Sequence, residues 1–209
     1  MKASLLKINA LYPENKKLTK VVEVLQKGGL VIYPTDTIYA LGCSLLNPEA
    51  IERLCLIKGV DPQKNQFSFL CQNISQVSEY SKSIPTPIFK MMNKALPGPY
   101  TFILPSSKHV PKKIDSKRKT IGVRVTDHAI PQQLVARLGN PLITTSVHDE
   151  DEIVAYATDP ALIYERFADQ VDLIIDGGMG NNVASTVVDC TQNEPAVLRQ
   201  GLGDTALLV

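Results

Sequence analysis

Apolar residues in this chain fall in short runs bounded by polar turns, and the spacing inside each run separates strands from helices. Leu30-Val31-Ile32 is a continuous apolar run that ends in Tyr33 and predicts a buried strand. Leu5 to Ile8 reads as a weaker one. Val21, Val22, Val24 and Leu25 recur at helical spacing within Thr19 to Lys27, and Gly28-Gly29 closes that helix. A second helix starts with Asn47 as N-cap and Pro48 at the first helical position. Its apolar face is Ile51, Leu54, Cys55 and Ile57, and it stops at Lys58-Gly59. Further strands are predicted at Phe67–Cys71, Tyr100–Leu104, Thr120–Val125, Leu142–Thr145, Leu173–Ile175, Thr186–Val188 and Ala196–Leu198. Further helices are predicted at Ser75–Tyr80, Pro87–Ala95, Ile130–Leu138 and from Asp159-Pro160 to about Ala168. Val60 to Gln66 and His148 to Glu152 read as irregular loops. Helices and strands interleave without the regular rhythm of a βαβ series. The expectation is one α/β domain over residues 1–209, with a twisted mixed sheet flanked by helices.

Composition narrows the function classes. Hydrophobic residues make up 44% and charged residues 21% of the 209, with a net charge of +1. No global charge draws the chain to nucleic acid or membrane, so any such attraction must be local. The four cysteines form no C-x-x-C pair, and the three histidines show no metal-type spacing, so no protein-held metal is expected. Scattered reduced thiols, no signal peptide and no long apolar run point to a cytoplasmic protein.

The stretch YPTDTIYALGCS (Tyr33 to Ser44) breaks from the buried strand into hydroxyls, an aspartate and a tyrosine. Strand ends of open α/β sheets are where ligands bind. Gly42 implies an unusual backbone angle or a close approach. Other polar residues recur at strand and helix ends: Thr37, Lys58, Thr120, Arg124, Thr144 to Ser146, Ser185 and Arg199. The cations suit phosphate or carboxylate, and the hydroxyls suit phosphate oxygens. There is no Walker loop, dinucleotide fingerprint, nucleophile elbow or zincin motif. A nucleotide site here must be assembled from scattered side chains. Lys108 to Lys119 is the one charge run, with five lysines and an arginine against one aspartate.

Six segments in order, PTDTIYALG, a helix ending in Lys58, PGPYTFIL, TIGVRV, STVVD and VLRQG, resemble the YrdC-like family of threonylcarbamoyl-AMP synthases over nearly the whole chain. YALG, FSFLC, KRKTIGVRV and RQGLGD resemble its YciO branch. The resemblance implies a YrdC-like fold with a concave basic cleft. It also implies an activity: L-threonine, bicarbonate and ATP with Mg²⁺ give threonylcarbamoyl-adenylate and pyrophosphate, the first step of tRNA threonylcarbamoyladenosine formation. Lys58 and Arg124 would be the catalytic cations. Thr35, Arg124 and Ser185 match the threonine side, with Arg124 on the carboxylate. Lys58, Thr120, Ser146 and Arg199 match the ATP side. Thr37 and Tyr39 would shape the loop. Transfer to tRNA would fall to partner proteins.

Departures from the family pattern lie on the ATP side. K-x-R-P becomes Lys58-Gly59-Val60-Asp61, S-A-N becomes Ser146-Val147-His148, and R-P-G becomes Arg199-Gln200-Gly201. Losing a phosphate cation costs on the order of 2–4 kcal/mol, or about 10²–10³ in rate, so slow adenylation is expected. Lys64 would replace that cation if its loop folds back. The alternative is a double-stranded RNA or tRNA binder using Lys112, Lys113, Lys117, Arg118 and Lys119. A third reading is a sensor of the nucleotide or the adenylate without turnover.

Overall fold

The computed structural model describes residues 2–61, 67–112, 114, 119–147, 158–192 and 194–208. In chain order the elements are β1 (Ser4–Lys7), α1 (Asn15–Gln26), β2 (Val31–Tyr33), β3 (Ala40–Ser44), α2 (Pro48–Lys58), β4 (Ser68–Leu70), α3 (Ile74–Tyr80) and α4 (Thr86–Ala95). There follow β5 (Tyr100–Pro105), β6 (Thr120–Arg124), α5 (Ala129–Leu138), β7 (Leu142–Ser146), α6 (Pro160–Phe167), β8 (Leu173–Asp176), β9 (Thr186–Asp189) and β10 (Ala196–Arg199). A 3-10 turn, Thr205–Leu208, comes last. The strands form one ten-stranded sheet in the order β1-β8-β2-β3-β7-β4-β6-β5-β9-β10. It is mixed: β8 runs parallel to β1 and β2, while β3 runs antiparallel to β2 and β7. The α/β architecture with a mixed sheet is therefore as the periodicity predicts.

Alternation along the strands builds two apolar layers. Ile32, Leu41, Cys43, Phe69, Phe102, Val123 and Ile143 face one layer, with Leu54 of α2, Val77 of α3, Met92 of α4 and Ile163 of α6. Val31, Tyr33, Ala40, Leu70, Leu142 and Ile175 face the other, with Leu18 and Leu25 of α1 and Ile130 and Leu134 of α5. This second layer ends at Leu142 and Leu70. Beyond them the same face carries Ser68 opposite Thr144 and Gly122, then Arg124 and Thr101. The twin-layered sheet thus carries a largely buried polar half-face, and that half-face holds the candidate site.

Two predictions need correcting. The turn after Tyr33 is shorter than the sequence implies, because Ala40–Ser44 is a fully buried central strand. Ala and Gly are poor strand formers, so the pattern hides it. Here the small residues are required: a side chain at Gly42 would meet the Ile143 carbonyl at 2.7 Å and the Tyr33 hydroxyl at 3.0 Å. Of the two readings of Gly42, close approach is the one seen. Helix α1 begins at Asn15, a turn before Thr19, which adds Leu18 to its buried stripe. Helix α2 runs as predicted, with the Asn47 side chain accepting the Ala50 N–H at 2.9 Å and Gly59 capping at φ +63°. Among the described residues no helix is long and apolar enough to cross a membrane.

Candidate ligand-binding site

Arg124 is the centre of the site. It ends β6 on the polar half-face, with its side chain 10% exposed, beside the 9% exposed Asp36 carboxylate. Arg124 Nη2 donates to Asp36 Oδ1 at 3.0 Å and to Thr37 Oγ1 at 2.9 Å. Thr37 Oγ1 lies 3.0 Å from Thr35 Oγ1, and Thr35 Oγ1 donates to the Ile38 carbonyl at 2.7 Å. Since the Thr35 proton is spent on Ile38, the Thr37 hydroxyl donates to Thr35. A directed chain therefore runs from the guanidinium through two hydroxyls to the backbone. Thr35 Oγ1 also accepts the Thr37 N–H at 3.0 Å. Asp36 ties the loop to the β6 exit: its N–H donates to Thr126 Oγ1 at 3.3 Å, and its Oδ2 accepts the Asp127 N–H at 2.9 Å.

Arg124 is only half used by this network. Among the described residues its Nε is the buried side-chain nitrogen without a hydrogen-bond partner. Such a group costs about 1–3 kcal/mol when left unpaired, which a ligand acceptor would recover. Burial presses the Arg124 pKa below its ordinary value, Asp36 and Tyr33 oppose that, and the charge of Arg199 adds to it. Arg199 is therefore near enough to be felt. Register explains why: Phe102 lies opposite Val123, and Thr101, Val187 and Arg199 follow on β5, β9 and β10. Arg199 donates from Nε and Nη2 to the Ser185 carbonyl at 3.2 and 3.1 Å. The Ser185 hydroxyl lies 2.8 Å from Thr101 Oγ1. Gly201 lets the chain cross directly over the Ala184 and Ser185 carbonyls, a space no Cβ could enter.

The structure therefore unites Thr35, Thr37, Arg124, Ser185 and Arg199. Thr120 lies at the other end of β6 from Arg124, about 13 Å along the strand. Ser146 ends β7 opposite Ala40. Lys58 is half-buried in the last turn of α2. Tyr39 holds the loop after β8: its hydroxyl donates to the Gly178 carbonyl at 2.7 Å and accepts the Gly177 N–H at 3.1 Å. Lys112 and Lys119 are exposed, while Lys64, Lys113, Lys117, Arg118 and His148 lie outside the described residues. Sequence reasoning missed the roles of Asp36, Thr101 and Thr126. Asp36 was visible inside the TDT motif. Thr101 and Thr126 gave no signal, because their partners are 84 and 90 residues away.

The chemistry open to this set is recognition of anions without a protein nucleophile. All four cysteines are free and buried, and burial pushes the Cys43 and Cys190 thiols up to about 12. Among the described residues no group of three or more His, Cys, Asp or Glu could hold a metal ion.

The fold and site define an α/β protein with a buried guanidinium-and-hydroxyl cluster on a mixed sheet. The chain belongs to the Sua5/YciO/YrdC family, whose model, described as telomere recombination, matches residues 23–201. It is 40% identical to YciO of Escherichia coli K12 over 193 residues, 92% of each chain. The crystal structure of E. coli YciO matches it with a TM-score of 0.92 and 38% identity, covering 99% of this chain and 100% of that one. The threonylcarbamoyl-AMP synthase of Coxiella burnetii is 30% identical over 165 residues, 79% of this chain and 87% of the relative. Sua5 of Pyrococcus abyssi complexed with L-threonine matches with a TM-score of 0.86 and 29% identity, over 95% of this chain and 58% of that one.

Proposed function

We propose that the protein is a threonylcarbamoyl-AMP synthase of the YrdC-like type, slowed on its ATP side. The L-threonine ammonium gives up a proton to solvent, and the amine takes up bicarbonate with loss of water to give N-carboxythreonine. A carboxylate oxygen of that group attacks the α-phosphorus of ATP, the α–β P–O bond breaks, and pyrophosphate leaves. The observation that carries this reading is the buried Arg124 guanidinium with its unpartnered Nε, a charged donor suited to an α-carboxylate. Arg199, held by Ser185, brings a second positive charge to the same region. The relatives named as synthases, and the Sua5 neighbour complexed with L-threonine, support the substrate. Mg²⁺ would arrive on the triphosphate and screen its charge there. Lys58, Thr120 and Ser146 would attend the phosphates and nucleotide, and transfer to tRNA would need partner proteins.

Pyrophosphate release tests the reading directly. With ATP, Mg²⁺ and bicarbonate, release should require L-threonine and should vanish in Lys58→Ala and Arg124→Ala. Release that ignores threonine, or that survives Arg124→Ala in a folded protein, would sink it.

A further inference from the structure

The Ser185 hydroxyl of the proposed threonine site does not stand alone: Thr101 Oγ1 lies 2.8 Å from it. Thr101 is 8% exposed and Ser185 4%. Thr101 precedes Phe102, which pairs with Val123, so it sits beside Arg124 on the polar half-face. Two hydroxyls bring two protons, and one hydrogen bond joins them. Among the described residues neither hydroxyl has another acceptor. One buried proton is therefore uncommitted, and its owner decides what the pair can bind. Two observations assign it to Ser185. Arg199 Nη2 stands 3.4 Å from Ser185 Oγ and also holds the Ser185 carbonyl, so a positive charge draws the hydroxyl's lone pair and turns its proton away. The Thr101 methyl is turned toward Gly122, where an added Cβ would meet it at 3.3 Å, while the Thr101 oxygen is turned to Ser185. A Thr101 proton not given to Ser185 would stay inside β5 as an unpaired buried donor. With bonds from Thr101 and Arg199 both acceptor places of Ser185 Oγ are filled, and that hydroxyl can only donate.

We propose that Thr101 is a positioning residue. It donates to Ser185 and so fixes that hydroxyl as a donor toward the ligand, without touching the ligand itself. This rests on the reading of the site as one for L-threonine. A fixed donor on the half-face of Arg124, whose Nε has no partner, suits a carboxylate oxygen. The α-carboxylate is carried unchanged from L-threonine through N-carboxythreonine to the adenylate. The same donor therefore serves substrate, intermediate and product. Without the Thr101 hydroxyl, Ser185 Oγ regains a lone pair and its proton is free to turn away from the carboxylate.

Threonine-dependent pyrophosphate release decides the point, measured for wild type, Thr101→Val, Thr101→Ser, Ser185→Ala and the double variant Thr101→Val with Ser185→Ala. Valine keeps the shape of threonine and removes the donor. Thr101→Val should raise the KM for L-threonine about tenfold and change kcat by less than about threefold, the scale of one hydrogen bond to a charged group. Thr101→Ser keeps the hydroxyl and should bring KM back toward the wild-type value. In the Ser185→Ala background Thr101→Val should cost nothing more, because it acts only through that hydroxyl. A packing role predicts the same loss in both backgrounds. That result overturns the proposal, as does a Thr101→Val protein with wild-type KM, or a Thr101→Ser protein no better than Thr101→Val. Should Thr101→Val fail to fold, Thr101→Ala runs the same cycle. If wild type releases no pyrophosphate, the synthase reading fails, and calorimetric titration with L-threonine reads the cycle in Kd. Wild type that binds no L-threonine overturns both.

Discussion

Val60 stands two residues after Lys58, where the family motif carries its second cation, and it is half-buried against the apolar layer under α2. The position is therefore used for packing, and on the proposed function it leaves the triphosphate one cation short. A lost phosphate cation is worth on the order of 10²–10³ in rate. Because Val60 is only partly buried, an arginine could lay its stem on the same apolar surface and carry its head outward. Val60→Arg should raise threonine-dependent pyrophosphate release by about tenfold or more, at a stability cost of about 1 kcal/mol. Turnover and the urea midpoint, measured on the same preparation, check this. An unchanged rate in a variant that folds normally would show that the phosphates do not pass Val60.

Helix α5 shows how a single cap couples an element to pH. His128 is its N-cap, and its Nδ1 accepts the Ile130 N–H at 3.3 Å. Burial holds the His128 pKa below the ordinary histidine value, although the nearby Asp36 and Asp127 carboxylates push the other way. The unfolded chain then binds a proton more readily than the folded one. Stability is full above about pH 6.5 and falls as the pH drops through that value, because protonated Nδ1 cannot accept. His128→Asn keeps a capping acceptor and removes the titration. Urea midpoints at pH 7.5 and pH 5.5 should diverge less in the variant than in wild type, and equal divergence would put the acid sensitivity elsewhere. Elements such as α2 and α5 were legible in the sequence because caps and apolar faces are local. Strand β3 was not, because Ala40, Gly42 and Ser44 form a strand only under the Tyr33 ring and between two neighbours. The site divides in the same way. Arg124 and the TDT motif could be read from the chain, while the bonds joining them span 87 and 88 residues and depend on the strand order.

At the scale of the whole molecule the question is whether its charge serves a small anion or a polyanion. The net charge is +1, and the cations of the site make short local contacts: Arg124 with Asp36 and Thr37, Arg199 with Ser185. Such short, partly buried contacts are weakly screened. The exposed cations Lys112 and Lys119 belong instead to the run between β5 and β6. A double-stranded RNA held by that run would release one counterion for nearly every phosphate neutralised, so its affinity would fall steeply with salt. The two functions therefore separate in one experiment. Between about 0.05 and 0.2 M salt, pyrophosphate release should change less than about threefold, while RNA retention should fall by at least tenfold. Lys112→Glu with Lys119→Glu should abolish retention at low salt and leave pyrophosphate release as it was. If turnover instead collapses with salt in step with RNA binding, or the double variant loses both, the basic run is part of the catalytic surface and the polyanion reading displaces the small-anion one.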